Sequence, residues 1–151
     1  MLINRSRLRL LALGAVLLMP SVQAAEPLTI DVHRDANCGC CKSWIKHLEA
    51  NGLHVTDHVE TNMSAVKQKL GVPPRLASCH TGVINGKFVE GHVPAAQVIQ
   101  LATSNQLLGL AVPGMPAGSP GMETDGVAHA YQVIGLTASG AEQVVAEYPG
   151  S

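Results

Sequence analysis

The order of the hydrophobic patterns constrains the fold of this chain more than any other sequence feature. Residues 28–33 and residues 54–60 each alternate apolar and polar side chains, as half-buried strands do. Between them, residues 41–51 carry an apolar stripe at helical spacing and end at the helix-stopping pair Asn51-Gly52. A strand–helix–strand unit of this kind places its two strands parallel in one sheet.

A hairpin and two more helices extend this unit. Residues 63–70 predict a short second helix, and residues 95–102 predict a third helix that begins after a proline. Asn85-Gly86 is a strong hairpin turn between strands predicted at 76–84 and 88–93. The order β-α-β-α-β-β-α predicts an α/β fold, a thioredoxin-like mixed sheet with flanking helices.

The remainder of the chain departs from this pattern. Residues 103–126 show no regular period, and residues 113–122 contain three prolines, three glycines and two methionines. We expect this Pro/Gly/Met-rich segment to be a loop, with a linker as the alternative to a functional loop. Residues 130–136 predict a C-terminal strand, and residues 141–148 predict a terminal helix.

The N-terminus has the pattern of a secretory signal peptide. Arg5, Arg7 and Arg9 precede an apolar run over residues 10–19. In Val22-Gln23-Ala24, small residues stand at the positions that a signal peptidase reads, which predicts cleavage after Ala24. The run is shorter than the roughly 20 residues that span a bilayer. We therefore predict a cleaved signal peptide over 1–24, one domain over 25–151, a periplasmic location and no membrane association after cleavage.

Charge and composition exclude several function classes. The signal segment removes three of the ten basic residues and none of the eleven acidic ones, so the mature chain carries a net charge of −4 with its histidines neutral. This balance argues against nucleic acid as a partner and favours cations. The sequence contains no Ser-His-Asp motif, phosphate loop or dinucleotide fingerprint, so we assign no catalytic residue. A catalytic activity, if present, is expected to be that of a copper-dependent or thiol oxidoreductase.

Three of the four cysteines lie within four residues, in Cys38-Gly39-Cys40-Cys41. Cys38 and Cys41 form a C-x-x-C at the junction of the first strand and the first helix, where the helix N-terminus favours a thiolate. A thiolate is both the nucleophile of disulfide exchange and a soft metal ligand. The position of the motif alone is therefore compatible with redox chemistry and with metal binding.

Two further features favour metal. Cys40 is a third sulfur that a disulfide exchanger does not need. Cys79-His80 stands where thioredoxins carry the segment with the cis-proline that lies against the redox pair, five residues before the hairpin turn. Neighbouring residues of a strand point to opposite faces, so Cys79 and His80 need not bind the same ion.

At these motifs the sequence resembles the CopG-type periplasmic copper-resistance family. The resemblance rests on Cys38-Gly39-Cys40-Cys41, Cys79-His80-Thr81, Glu90-Gly91-His92-Val93-Pro94 and the segment from Gly114 to Met122. It implies a thioredoxin-like fold, a multinuclear copper site bridged by cysteines, and a role in copper resistance or handling, with redox activity between Cu(I) and Cu(II). Other periplasmic copper-handling proteins are the partners that it implies.

The candidate ligands are soft or borderline donors, which copper prefers. Zinc bound by four cysteines is the competing metal, but adjacent Cys40 and Cys41 chelate one tetrahedral ion poorly, and zinc rarely uses thioethers. A thiol-disulfide oxidoreductase and a zinc-stabilised structural module remain the alternative functions. The candidate metal ligands are Cys38, Cys40, Cys41, Cys79, His80, His92, Met115 and Met122.

Overall fold

A computed structural model describes residues 26–151 as one seven-stranded sheet with three α-helices. The strands are β1 Thr29–Asp35, β2 His54–Glu60, β3 Thr81–Ile84, β4 Lys87–Gly91, β5 Leu107–Val112, β6 Tyr131–Thr137 and β7 Glu142–Tyr148. The helices are α1 Gly39–Ala50, α2 Met63–Lys69 and α3 Ala95–Thr103, and a single 3₁₀ turn covers Pro74–Leu76. The predicted signal peptide over 1–24 lies outside the described residues.

The strands follow the order β2-β1-β3-β4-β5-β6-β7 across the sheet. The pairs β1–β2 and β4–β5 are parallel, because a helix crosses over between their strands, and the other pairs are antiparallel. This confirms the predicted α/β class and the mixed sheet. The finer assignment as thioredoxin-like stays a prediction.

Helices α1 and α3 share a hydrophobic core on one face of the sheet. The fully buried members of this core include Trp44 and Leu48 from α1 and Val98 from α3, packed against Ile30 and Val89 of the sheet. Helix α2 lies on the other face, where Lys67 reaches strands β3 and β4. Strands β1 and β4, which precede the crossover helices, run in the same direction and finish at the same end of the sheet. Helix α1 begins at this end.

The hairpin turn and the start of helix α1 lie where the sequence predicts them. Asn85 and Gly86 both have positive φ, +48° and +75°, which is the backbone of the two-residue turn that joins β3 to β4. Cys38 is the N-cap of α1, and its sulfur accepts a hydrogen bond from the Cys41 amide at 3.3 Å. The cap thus places the cysteine motif at the helix start.

Three predictions for the elements were wrong. The third strand is shorter than predicted, because Pro74 begins a 3₁₀ turn and β3 starts only at Thr81. Residues 107–112 form a strand inside the segment for which we predicted none, because a strand buried on both faces shows no alternation. Residues 142–148 form β7 and not a helix, because pairing with β6 overrides their helical propensity.

Of the described residues, none lies in a helix that is both long and apolar enough to cross a membrane.

Candidate metal centre

The four cysteines converge where the start of α1 meets the irregular segment that precedes β3. All four sulfur atoms lie within 4.8 Å of one another, although Cys79 is 38 residues beyond Cys41 in the sequence. Because β3 runs antiparallel to β1, the start of β3 lies beside the end of β1, which brings both segments to the same end of the sheet. The predicted sulfur cluster is therefore present in the fold.

The cluster contains one disulfide and two free thiols. Cys38 and Cys41 form the disulfide, while Cys40 and Cys79 are free. The sulfur of Cys40 lies 3.5 Å from that of Cys38 and 4.0 Å from that of Cys79. From the sequence, these sulfurs were predicted as metal ligands, and redox chemistry of the Cys38–Cys41 pair was the alternative.

Two histidine rings flank the sulfur of Cys79. Nδ1 of His80 lies 3.1 Å from it and Nε2 of His92 lies 3.2 Å from it. Because Cys79 and His80 precede β3, the alternation of strand side chains does not separate them, and they belong to one ligand group with His92. Whether Cys79 and His80 bind the same ion stays a prediction, and their positions allow it.

The position of His92 is fixed by a loop carbonyl. Its Nδ1 donates a hydrogen bond of 2.8 Å to the carbonyl oxygen of Pro120. Since a carbonyl only accepts, the proton of the neutral ring is assigned to Nδ1, and the lone pair of Nε2 faces the sulfur of Cys79. A histidine whose second nitrogen is held by a carbonyl is the arrangement that orients metal-binding imidazoles.

The ring of His80 is fully buried against Trp44, with the ring centroids 4.3 Å apart. Its Nε2 makes no well-formed hydrogen bond among residues 26–151. Trp44 in turn donates from its indole to the carbonyl oxygen of Val93 at 2.8 Å, which anchors it in the core. The nitrogen that this ring offers to a metal is Nδ1, which faces the sulfur of Cys79.

Burial sets the protonation of this site. It lowers the pKa of His80 well below its usual value, with the neighbouring His92 as the next cause, and it also lowers the pKa of His92. Burial, followed by the electrostatic effect of the neighbouring Cys40 side chain, raises the pKa of Cys79 to about 12. At neutral pH the metal-free site therefore holds two uncharged imidazoles and a protonated Cys79 thiol.

The Pro/Gly/Met-rich loop lies against the cluster. Ser78 donates its hydroxyl proton to the carbonyl oxygen of Gly114, and Gly121 packs on the backbone of Cys40 and Trp44. Met115 is more than half exposed and Met122 is half-buried. The loop is thus part of the site, while a role of either methionine as a ligand stays a prediction.

Other histidines have partners outside this cluster. His33 pairs with Glu60 and His58 pairs with Asp31 on the surface of β1 and β2, and His47 accepts a hydrogen bond from a backbone amide of α3. None of these three rings belongs to either of the two ligand groups found among the described residues.

The role of the buried carboxylate of Glu90 beside the cluster was not predicted from the sequence. The sequence signal for it is a charged residue that directly follows the apolar pair Phe88-Val89 within a strand. The role of the Pro120 backbone carbonyl was not predicted either, because no side-chain pattern indicates it.

An α/β protein that gathers thiols and neutral imidazoles at one end of its sheet has the donor set of a soft-metal-binding protein. Comparison with known proteins identifies the family. Two solved structures, described as "Copper resistance protein copG- Form 2" and "Copper resistance protein copG- Form 1", are each 70% identical to the chain with a TM-score of 0.80. They cover 82% and 83% of this chain, respectively, and 100% of their own.

The chain therefore belongs to the CopG copper resistance protein family. A family model described as "Protein of unknown function, DUF411" matches residues 76–122, which include Cys79, His80, His92 and the methionine loop. Comparison with curated proteins gives no match.

Proposed function

We propose that the reduced protein binds more than one copper ion at this centre and serves copper resistance in the periplasm. The observation that carries the proposal is the shared position of Cys79. Its sulfur belongs both to the group of four cysteines and to the group of Cys79, His80 and His92. A thiolate with ligands on both sides is suited to bridge two ions.

The donor set favours copper over zinc. Thiolates and imidazoles bind both metals, but Cu(I) accepts two or three soft ligands, whereas structural zinc requires four at tetrahedral geometry. Cys40 and Cys41 are adjacent on the first turn of α1, which makes simultaneous binding of one ion by both unfavourable. The similar solved structures, which are described as copper resistance proteins, support the same choice.

The disulfide defines the state in which copper binds. A disulfide sulfur is not a thiolate, so the oxidised centre offers Cys40, Cys79, His80 and His92. A dithiol reductant that delivers two electrons and two protons converts the bond into two thiols and is itself oxidised to a disulfide. Reduction thereby raises the number of sulfur ligands from two to four.

The test is metal analysis of protein reduced and loaded with Cu(I), comparing wild type with Cys79→Ser. More than one copper per chain in the wild type, falling in Cys79→Ser, is the expected result. His92→Asn should also lower the copper content, whereas His54→Asn, at an exposed position of β2, is the matched control and should not. A single tightly held zinc, or a copper content that Cys79→Ser leaves unchanged, would refute the proposal.

The Cys38–Cys41 disulfide favours a second candidate, a thiol-disulfide oxidoreductase, because it closes a C-x-x-C at a helix N-terminus. This function predicts dithiol exchange by the metal-free protein that survives both Cys40→Ser and Cys79→Ser. Turnover between Cu(I) and Cu(II), which the family resemblance implies, is measured separately by oxygen uptake with Cu(I) as the electron donor.

A further inference from the structure

A buried carboxylate stands directly behind the Cys79–His80 pair, on the opposite face of the sheet from the main core. Glu90 is completely buried in β4 and is the cross-strand neighbour of Thr81. It accepts hydrogen bonds from the Ser78 amide at 2.6 Å, from the Thr81 hydroxyl at 2.6 Å and from the Lys67 ammonium at 2.5 Å. Nothing in the proposed copper chemistry uses this carboxylate.

Two of these three donors lie on either side of the ligand pair. Ser78 immediately precedes Cys79, and Thr81 immediately follows His80. The segment precedes β3 and lies outside its ladder, and one further backbone bond, from the Gly91 amide to the His80 carbonyl at 3.0 Å, holds it. The carboxylate of Glu90 therefore fixes both ends of the short segment that carries Cys79 and His80.

Lys67 completes the arrangement from helix α2. Its ammonium group, largely buried, contacts both the Glu90 carboxylate and, at 3.0 Å, the Thr81 hydroxyl. A buried ion pair is seldom the most stabilising choice, because apolar side chains of similar volume are often at least as favourable. A carboxylate that also binds two groups beside metal ligands is better explained by the geometry that it imposes.

We propose that Glu90, neutralised by Lys67, is a positioning residue for the metal centre. It holds residues 78–81 so that the sulfur of Cys79 stays between the ring nitrogens of His80 and His92. The inference rests on the proposed copper-binding function. In this arrangement the affinity of the centre for copper depends on the Glu90 carboxylate, which does not itself contact the metal. Groups that orient metal ligands in this way typically contribute about 10-fold to 100-fold in affinity.

The test substitutes Glu90→Gln, because one amide oxygen cannot serve all three donors of the carboxylate. Affinity for Cu(I) is measured by competition with a chromophoric Cu(I) chelator, and X-ray absorption reports the nitrogen and sulfur ligands of the bound copper. Val133→Ala, which opens a cavity in the core at a fully buried position of β6, is the control for general destabilisation. Thr81→Val, which removes one donor and keeps the ion pair, is the second variant in case Glu90→Gln does not fold.

The expected result is a loss of Cu(I) affinity of about 10-fold or more in Glu90→Gln. We also expect a smaller copper–nitrogen signal, a smaller loss in Thr81→Val, and wild-type affinity in Val133→Ala. Wild-type affinity in Glu90→Gln, or an equal loss in Val133→Ala, would overturn the proposal.

Hydrogen exchange of the Ser78 amide in the metal-free protein tests the positioning role of Glu90 separately from the proposed copper-binding function. If the wild type binds no copper, the proposed function fails, and unchanged protection of this amide in Glu90→Gln overturns the positioning role independently.

Discussion

Replacing Gly121 with alanine tests whether the Pro/Gly/Met-rich loop is locked onto the start of α1. Gly121 has a φ of +84°, and a Cβ at this position would lie 2.7 Å from the Trp44 backbone nitrogen and 3.0 Å from the Cys40 carbonyl oxygen. Both contacts are with backbone atoms, which cannot rotate away as a flexible side chain does. The loop must therefore move off the helix to accept the methyl group.

Two energy terms contribute to the expected loss. A non-glycine residue in the left-handed region costs about 1–2 kcal/mol, and overpacking against a rigid neighbour costs about 1–3 kcal/mol. Gly121→Ala should therefore lower the free energy of unfolding by about 2–5 kcal/mol. Gly114→Ala is the matched control, because Gly114 lies in the same loop with a φ of +72° and no atom within 4 Å of its Cβ position. Gly114→Ala therefore has only the energetic cost of a non-glycine residue in the left-handed region.

Urea unfolding of the metal-free, disulfide-intact proteins measures the difference between the two variants. The expected difference is about 1–3 kcal/mol, with unchanged dependence on urea concentration. Alkylation of Cys40 should be faster in Gly121→Ala than in Gly114→Ala, because the loop that covers its backbone is displaced. Equal stabilities and equal alkylation rates in the two variants would show that the loop is not seated on α1.

Three further predictions concern the core and the redox state. Because the neutral ring of His47 accepts the Ala95 amide proton and burial lowers its pKa from 6.5, its stabilising contribution is complete above pH 6.5 and is lost as the pH falls through the lowered pKa. His47→Gln, whose side-chain oxygen accepts without titrating, should flatten that part of the stability profile, and an unchanged profile would contradict this. Trp44→Phe leaves the Val93 carbonyl without its donor and should cost about 1–3 kcal/mol in urea unfolding; no loss would exclude a contribution from this bond. Thiol titration of the denatured, air-purified protein should give two free thiols and then four after reduction, and four before reduction would rule out the disulfide.

Sequence patterns predict the elements whose surroundings are asymmetric. Strands β1 and β2 and helix α1 each have one apolar and one polar side, so their periods are visible in the sequence. Strand β5, Leu107–Val112, is buried through most of its length on both sides and has no period to detect. Strand β7 contains glutamate and alanine, which suit a helix, and only its pairing with β6 decides its conformation.

The predicted parts of the site follow from local sequence patterns, and the unpredicted parts follow from contacts between distant segments. Cysteine and histidine are residue types that bind metal, so the cysteine cluster and His92 can be recognised as candidate ligands from the sequence alone. The roles of Glu90 and of the Pro120 carbonyl follow from contacts between distant segments, which no local pattern encodes. The pairing of Cys38 with Cys41 depends on the redox state of the centre as well as on spacing.

The anchoring of the candidate ligands has a consequence for the rate at which a bound ion leaves. The cysteines of the motif lie in the cap and first turn of α1, and His92 directly follows β4, so these side chains are attached to regular elements. Two irregular segments border the site: the one before β3, which Glu90 holds, and the loop over residues 113–122. Irregular segments open at lower free energy than a sheet or its core. The residence time of copper should therefore follow the opening of this loop, so that substitutions in it change the dissociation rate more than the number of ions bound.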